Sequence, residues 1–175
     1  MRITELDAAA DRVLEPVRDS RAGRVVFGLA STVGDFSLVW HVTGLSLSLL
    51  GRIHLAEAIV LSIALGLESL VVNQGIKRLF RRERPTVSGD GRFALRTPST
   101  TSFPSGHASS AMFAVVLLGL FTGAPLVFVW TAMAVVVAVS RVVVRIHHLS
   151  DVLGGLVTGL VLGGVALPIA AAILS

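Results

Sequence analysis

The 175-residue chain contains no cysteine, which excludes a disulfide framework and any thiolate metal site and leaves the redox compartment unread. It also lacks the clustered Asp and Glu residues that a metal pair needs, so metal-independent chemistry is expected and no cofactor is implied. Charged residues are scarce, at 15% against 53% hydrophobic ones, and the mean hydropathy is +0.81. The apolar residues come in long blocks with little alternation, which excludes an ordinary soluble domain and points to a bilayer protein. Residues 1–24 are dense in charge and have no apolar h-region, so no secretory signal is expected. The length suits one domain, not two.

What is present is a net charge of +4, almost all of it carried by arginine. Such an excess suits nucleic acid, a membrane surface or an anionic substrate. The arginines gather at the ends of apolar segments, which favours membrane lipids and an anionic ligand over nucleic acid. Near the start, Ile3, Leu6, Ala10, Val13, Leu14 and Val17 fall at helical spacing, with Asp7, Asp11, Arg12, Glu15 and Arg18 on other faces. Thr4 followed by Asp7 resembles a capping box, and Pro16 should end or kink the helix. Residues 1–24 therefore read as an amphipathic helix lying along the membrane or against a partner subunit.

Five stretches of residues 25–175 approach the roughly 20 apolar residues that a crossing needs: 27–50, 56–76, 105–122, 126–144 and 152–174. The expected fold is all-α, a polytopic membrane bundle of about five transmembrane helices plus the N-terminal amphipathic helix. The first stretch carries Asp35 and His41; the second carries Glu57, Glu68 and Asn73. A buried acid such as Glu68 must face the bundle interior or a wet cavity. Gly155, Gly159 and Gly163 recur every four residues, a ribbon that lets another helix approach closely, within the subunit or in a homo-oligomer. The N-terminal helix is a second possible contact between subunits. One long polar loop, 77–104, interrupts the short connections, and function is sought there.

Three clusters carry chemistry, all at expected helix ends. The first, Lys77-Arg78-Leu79-Phe80-Arg81-Arg82-Glu83-Arg84-Pro85, would by itself read as a topology signal or headgroup contact. In the second, Phe103-Pro104-Ser105-Gly106-His107, a helix start offers unpaired N–H groups to an anion. Pro104 suits the first turn, Gly106 admits a ligand close to the backbone, and Ser105 adds a hydroxyl. The third joins Ser140 and Arg141 to His147 and Asp151; four residues apart, the last two share a helical face and can hydrogen-bond. Each has a plain structural reading when taken singly.

Together, Lys-x6-Arg-Pro, Pro-Ser-Gly-His and Ser-Arg-x5-His-x3-Asp resemble the signature of the type 2 phosphatidic acid phosphatase superfamily. The resemblance covers residues 77–151 and implies a lipid phosphate as substrate. It implies that Lys77, Arg84, Ser105, Gly106 and Arg141 hold the phosphate. His147 would attack phosphorus, Asp151 would orient it, and His107 would serve as acid and base. Within that family the substrate leans to a polyprenyl-linked phosphate, with a decaprenylphosphoryl-phosphoribose the specific candidate and phosphatidate or phosphatidylglycerol phosphate the runner-up. A transporter would leave the convergence of the clusters unexplained, and an inactive scaffold would be expected to lack a catalytic residue, whereas none is missing. With five crossings the N-terminus and the clusters share a membrane face holding nearly all the arginines, including Arg2, Arg12, Arg18, Arg21, Arg24, Arg96 and Arg145. Only Arg52 lies opposite, so that face is expected to be cytoplasmic, in a bacterial plasma membrane.

Overall fold

The computed structural model describes residues 2–86, 90–93 and 100–175, and the regular structure in them is helical. In chain order the helices are α1 (Ile3–Val13), α2 (Glu15–Asp19), α3 (Arg21–Val33), α4 (Leu38–Leu49), α5 (Leu55–Leu70), α6 (Lys77–Leu79), α7 (Gly106–Thr122), α8 (Leu126–Val143) and α9 (Leu149–Leu174). A 3-10 turn, Asp35–Ser37, joins α3 to α4, and a π-helical turn, Val71–Ile76, makes α5 and α6 continuous. Arg96, counted above with the basic loop, lies outside the described residues.

The N-terminal segment departs from the expected single helix. The first helix ends at Val13, ahead of Pro16 as expected, and Pro16 then occupies the first turn of α2, where a missing N–H is no loss. The box at Thr4 does not form: Arg2 caps α1, and its backbone N–H donates to Glu5 Oε2 at 2.9 Å. Asp7 and Arg18 of this segment are buried. The segment docks on α8 and α9 of its own chain. The Arg18 guanidinium is wholly buried, and it donates to the carbonyls of Val143 and Val142 at 2.8 and 3.1 Å. Both carbonyls lie at the end of α8, where intrahelical partners run out; that of Val142 also accepts from the Arg145 N–H at 3.1 Å.

Among the described residues, three helices are long and apolar enough to cross a membrane: Leu55–Leu79, Leu126–Val143 and Leu149–Leu174. The count rises to four if α3 and α4, bent by 68°, form one crossing. About five were expected, and the shortfall has two causes. Within the first stretch, Phe36 and Ser37 take φ of 53° and 59°, a left-handed geometry that a right-handed helix cannot continue through. The third stretch yields α7, of only 17 residues, or about 25 Å at 1.5 Å per residue.

Helix α7 is short because it is the centre of the bundle. Ala108, Ala111, Phe113, Ala114, Leu117 and Leu118 are all buried, and α5, α8 and α9 surround them. The glycine ribbon of α9 permits this. A Cβ at Gly155 or Gly159 would collide with the Ser105 or Ser109 carbonyl oxygen, and one at Gly163 would come within 3.0 Å of Val116. The ribbon is thus filled inside the chain, by α7. Outward-facing Ile59, Ile63, Leu67, Val157, Leu160 and Val161 remain exposed, as suits helices bordered by lipid.

Candidate active site

Crossing helices return to the same level, so the ends of α6 and α8 and the starts of α7 and α9 meet at one end of the bundle. Backbone bonds then join the three clusters. The Ser102 N–H donates to the Arg82 carbonyl at 2.9 Å, and the Ser105 N–H donates to the Asp151 carbonyl at 3.0 Å. Thr101 Oγ1 donates to the Lys77 carbonyl at 3.1 Å. Between them lies a cavity of about 260 Å³ lined by Lys77, Gly106, His107, Arg141 and His147, with Ser37, Glu68, Ser69, Asn73 and Ser110 also on its wall.

Cations border this space. Lys77, on the first turn after the π-helical segment, is 5% exposed and donates to Thr100 Oγ1 at 3.3 Å. Arg141 is 1% exposed, and one of its nitrogens, Nη1, donates to the Ser31 hydroxyl. Its Nε and Nη2, and the hydroxyl of Ser105, find no partner among the described residues. Buried donors left unpaired are costly. Arg141 lines the cavity, and its unspent donors are of the kind that suits the oxygens of an anion. Arg84 stands behind, with Nη1 on the Ile146 carbonyl at 2.9 Å and Nη2 on the Thr100 carbonyl at 2.9 Å.

His147 is 2% exposed and lies just before α9, not on it. Arg84 Nη1 is 3.3 Å from its Nε2. A guanidinium can only donate, so Nε2 must be the unprotonated nitrogen and Nδ1 carries the proton. Nδ1 faces Asp151, but the expected direct hydrogen bond is absent: Nδ1 to Oδ2 is 3.8 Å. Ser102 comes between, its Oγ 2.5 Å from Asp151 Oδ2 and 3.4 Å from His147 Nδ1. The direct contact fails because His147 is off the helix, so the four-residue spacing does not align the pair. Burial pushes the imidazole below its ordinary range, and the nearby cations Arg141, Arg84 and Lys77 add to this against the opposing pull of Asp151. The ring is therefore neutral, with its Nε2 lone pair turned to the Arg84 guanidinium.

His107, in the first turn of α7, has Nε2 3.1 Å from both the Ser31 carbonyl and Asp35 Oδ1. Both are acceptors, so Nε2 carries a proton and Nδ1 is the nitrogen left to exchange one. The break in the first stretch thus provides partners to His107. Gly34 leaves room for the ring, since a Cβ there would come within 2.6 Å of His107 Cδ2. Pro104 stands ahead of the helix and not in its first turn; Ser105 is the N-cap. A Cβ on Gly106 would sit 3.7 Å from Lys77 Nζ and 3.6 Å from Asn73 Oδ1, so the bare glycine opens the backbone to the cavity.

The structure brings Lys77, Arg84, Ser105, Gly106, His107, Arg141, His147 and Asp151 to one place. Sequence reasoning missed Ser102, Ser31, Asp7 and the role of Arg82. Ser102 sits in a Ser/Thr-rich loop with no periodicity to single it out. Arg82 was visible only as one more cation in a basic run.

Comparison with known proteins identifies the family. The profile of the PAP2 superfamily matches residues 55–173. The chain is 40% identical over 90 residues to the decaprenylphosphoryl-5-phosphoribose phosphatase of Mycobacterium tuberculosis, a match covering 51% of this chain and 49% of that protein. It is 45% identical over 83 residues to the Mycolicibacterium smegmatis protein of the same name, covering 46% of this chain and 42% of that protein. The chain thus spans about half the length or less of the curated relatives it matches. In fold it is similar to the transmembrane PAP2-type phosphatidylglycerolphosphate phosphatase of Bacillus subtilis, with a TM-score of 0.73 and 23% identity over 98% of this chain and 87% of that one. With the family profile covering most of its length and the fold shared, this integral membrane chain belongs to the PAP2 superfamily.

Proposed function

We propose that the protein hydrolyses the phosphate monoester of a lipid through a phosphohistidine. The observation that carries this reading is that His147 and the unpaired donors of Arg141 stand on the wall of one cavity. A phosphate monoester repels nucleophiles, so the first requirement is to neutralise its oxygens. Lys77, Arg84 and Arg141 supply the charge, with Ser105 and the Gly106 backbone as further donors. His147 Nε2 forms a bond to phosphorus as the bond from phosphorus to the lipid oxygen breaks. His107, held by Asp35 through Nε2, acts in the form that also carries a proton on Nδ1 and gives that proton to the departing alkoxide. Water then attacks the phosphohistidine, His107 takes back a proton, and inorganic phosphate leaves. The residues of the site provide every group this needs without a metal.

For the substrate, the reading is a polyprenyl-linked phosphate of envelope synthesis, specifically a phosphoribosyl lipid. Two observations support it. The relatives with 40% and 45% identity carry that name. The cavity wall near the cations also carries Ser37, Glu68, Ser69, Asn73 and Ser110, which suits hydroxyls next to the phosphate better than a bare hydrocarbon. For topology, residues 1–24 are a docked element on a bundle of 25–175. The bent pair α3–α4 and the short α7 each count as a crossing, which makes five and sets the site on the arginine-rich, cytoplasmic face. Purified protein in detergent, given a panel of lipid phosphates, tests the substrate. Preference for the phosphoribosyl lipid is expected; preference for a diacylglycerol backbone would overturn it in favour of phosphatidate or phosphatidylglycerol phosphate.

A further inference from the structure

Asp151 is fully buried and is held at both oxygens. Its Oδ2 accepts from Ser102 Oγ at 2.5 Å and from the His148 backbone N–H at 2.9 Å. Its Oδ1 accepts from Arg82 Nη1 at 2.6 Å. Arg82 lies between Lys77 and Arg84 but does not line the cavity. Its other arm, Nη2, donates to Asp7 Oδ2 at 2.6 Å. Asp7 belongs to α1, is 8% exposed, and is fixed in turn by the start of α9. There the Ser150 N–H donates to Asp7 Oδ1 at 2.9 Å and Ser150 Oγ donates to Asp7 Oδ2 at 2.8 Å.

We infer that Arg82 and Asp7 are positioning residues for the nucleophile, and that the N-terminal helix is thereby a working part of the active site. This rests on the roles proposed above for His147 and Asp151. A carboxylate with one free oxygen can rotate about its Cβ–Cγ bond; Arg82 removes that freedom by fixing Oδ1, so Oδ2 stays with Ser102 on the His147 side. The guanidinium itself would swing without Asp7, since its remaining partner, Ser150 Oγ at 2.7 Å, is itself bound to Asp7. Asp7 also takes an N–H that the first turn of α9 cannot satisfy internally, and its negative charge suits that end of the helix. One fork-shaped cation therefore joins a carboxylate of α1 to a carboxylate of α9, a task that needs the two-armed geometry of arginine.

The experiment is a double-mutant cycle on the full chain in detergent, with His147→Ala as reference. Arg82→Ala should lower kcat about 10²-fold, as expected for slight misplacement of a reacting group, with KM little changed because Lys77, Arg84 and Arg141 are untouched. Inhibition by vanadate, which reads the anion pocket, should persist, and so should the melting transition. Asp7→Ala should lower kcat less, and the double variant should match Arg82→Ala alone, since Asp7 acts through Arg82. Arg82→Lys, which cannot span both carboxylates, should fall between. If Arg82→Ala retains wild-type kcat while His147→Ala is dead, the inference fails and the proposed mechanism stands. Additive losses from Asp7→Ala and Arg82→Ala, or a rise in KM with kcat unchanged, would also overturn it. An active His147→Ala would instead remove the mechanism beneath it.

Discussion

The two sides of the His147 ring are built on opposite terms. On the Nδ1 side every polar group is satisfied: Ser102, Asp151, Arg82, Asp7 and Ser150 form one chain of bonds at 2.5–2.9 Å. On the cavity side, where Arg84 Nη1 is 3.3 Å from Nε2, Arg141 Nε and Nη2 lack partners among the described residues. A side that must not move has its hydrogen bonds made in advance. A side that must receive an anion keeps donors unspent, at a stability cost that the rest of the fold sustains.

This contrast is easiest to break at the ring itself. His147→Ala should reduce turnover by at least about 10⁴-fold, as loss of a nucleophile does elsewhere, and an assay on a lipid phosphate would show it. Arg141→Ala comes next, with a loss of about 10²- to 10³-fold in kcat, since its donors stabilise charge that develops in the transition state. The same change should remove two buried donors that lack partners among the described residues, so thermal stability should fall little or rise. A loss of stability larger than the loss of activity would place Arg141 on the satisfied side of the comparison.

The clusters were legible because each sits where an apolar block ends. Lys77 and Arg84, Pro104 to His107, and Arg141 to Asp151 need only the helix limits and the alternation of crossings to be brought to one level. The rest depends on tertiary contacts that no periodicity encodes. Asp35 looked like a flaw in a spanning helix and is a partner of His107, because Phe36 and Ser37 turn the chain left-handed there. Asp7 looked like one polar position of an amphipathic face, yet it is buried against α9. Ser102 gave no sign of itself. The glycine ribbon left open which helix it served, and the carbonyls of Ser105 and Ser109 show that it is α7.

Acid offers a gentler probe of the ring. Burial lowers the His147 pKa from its ordinary value of 6.5, so the unfolded chain takes up that proton first. Stability is then complete above pH 6.5 and is lost as pH falls from there towards the folded-state value. Unfolding midpoints followed downward from neutral pH should show a decline that is shallower in His147→Ala. An identical slope in the two proteins would mean the ring is not held neutral. The smallest effect is expected at His148, whose backbone, not its ring, meets Asp151 at 2.9 Å. His148→Ala should keep activity within about two-fold, the range of an uninvolved side chain. A dead His148→Ala beside an active His147→Ala would exchange their roles.

The most direct test of the central claim is to trap the covalent intermediate. Protein mixed with a lipid carrying radiolabelled terminal phosphate and quenched in base should retain label that is stable to alkali and lost in acid, as a phosphorus–nitrogen bond requires. Peptide mapping should place that label on His147, and His147→Ala should carry none. Label on another residue, or full turnover by His147→Ala, would contradict the account.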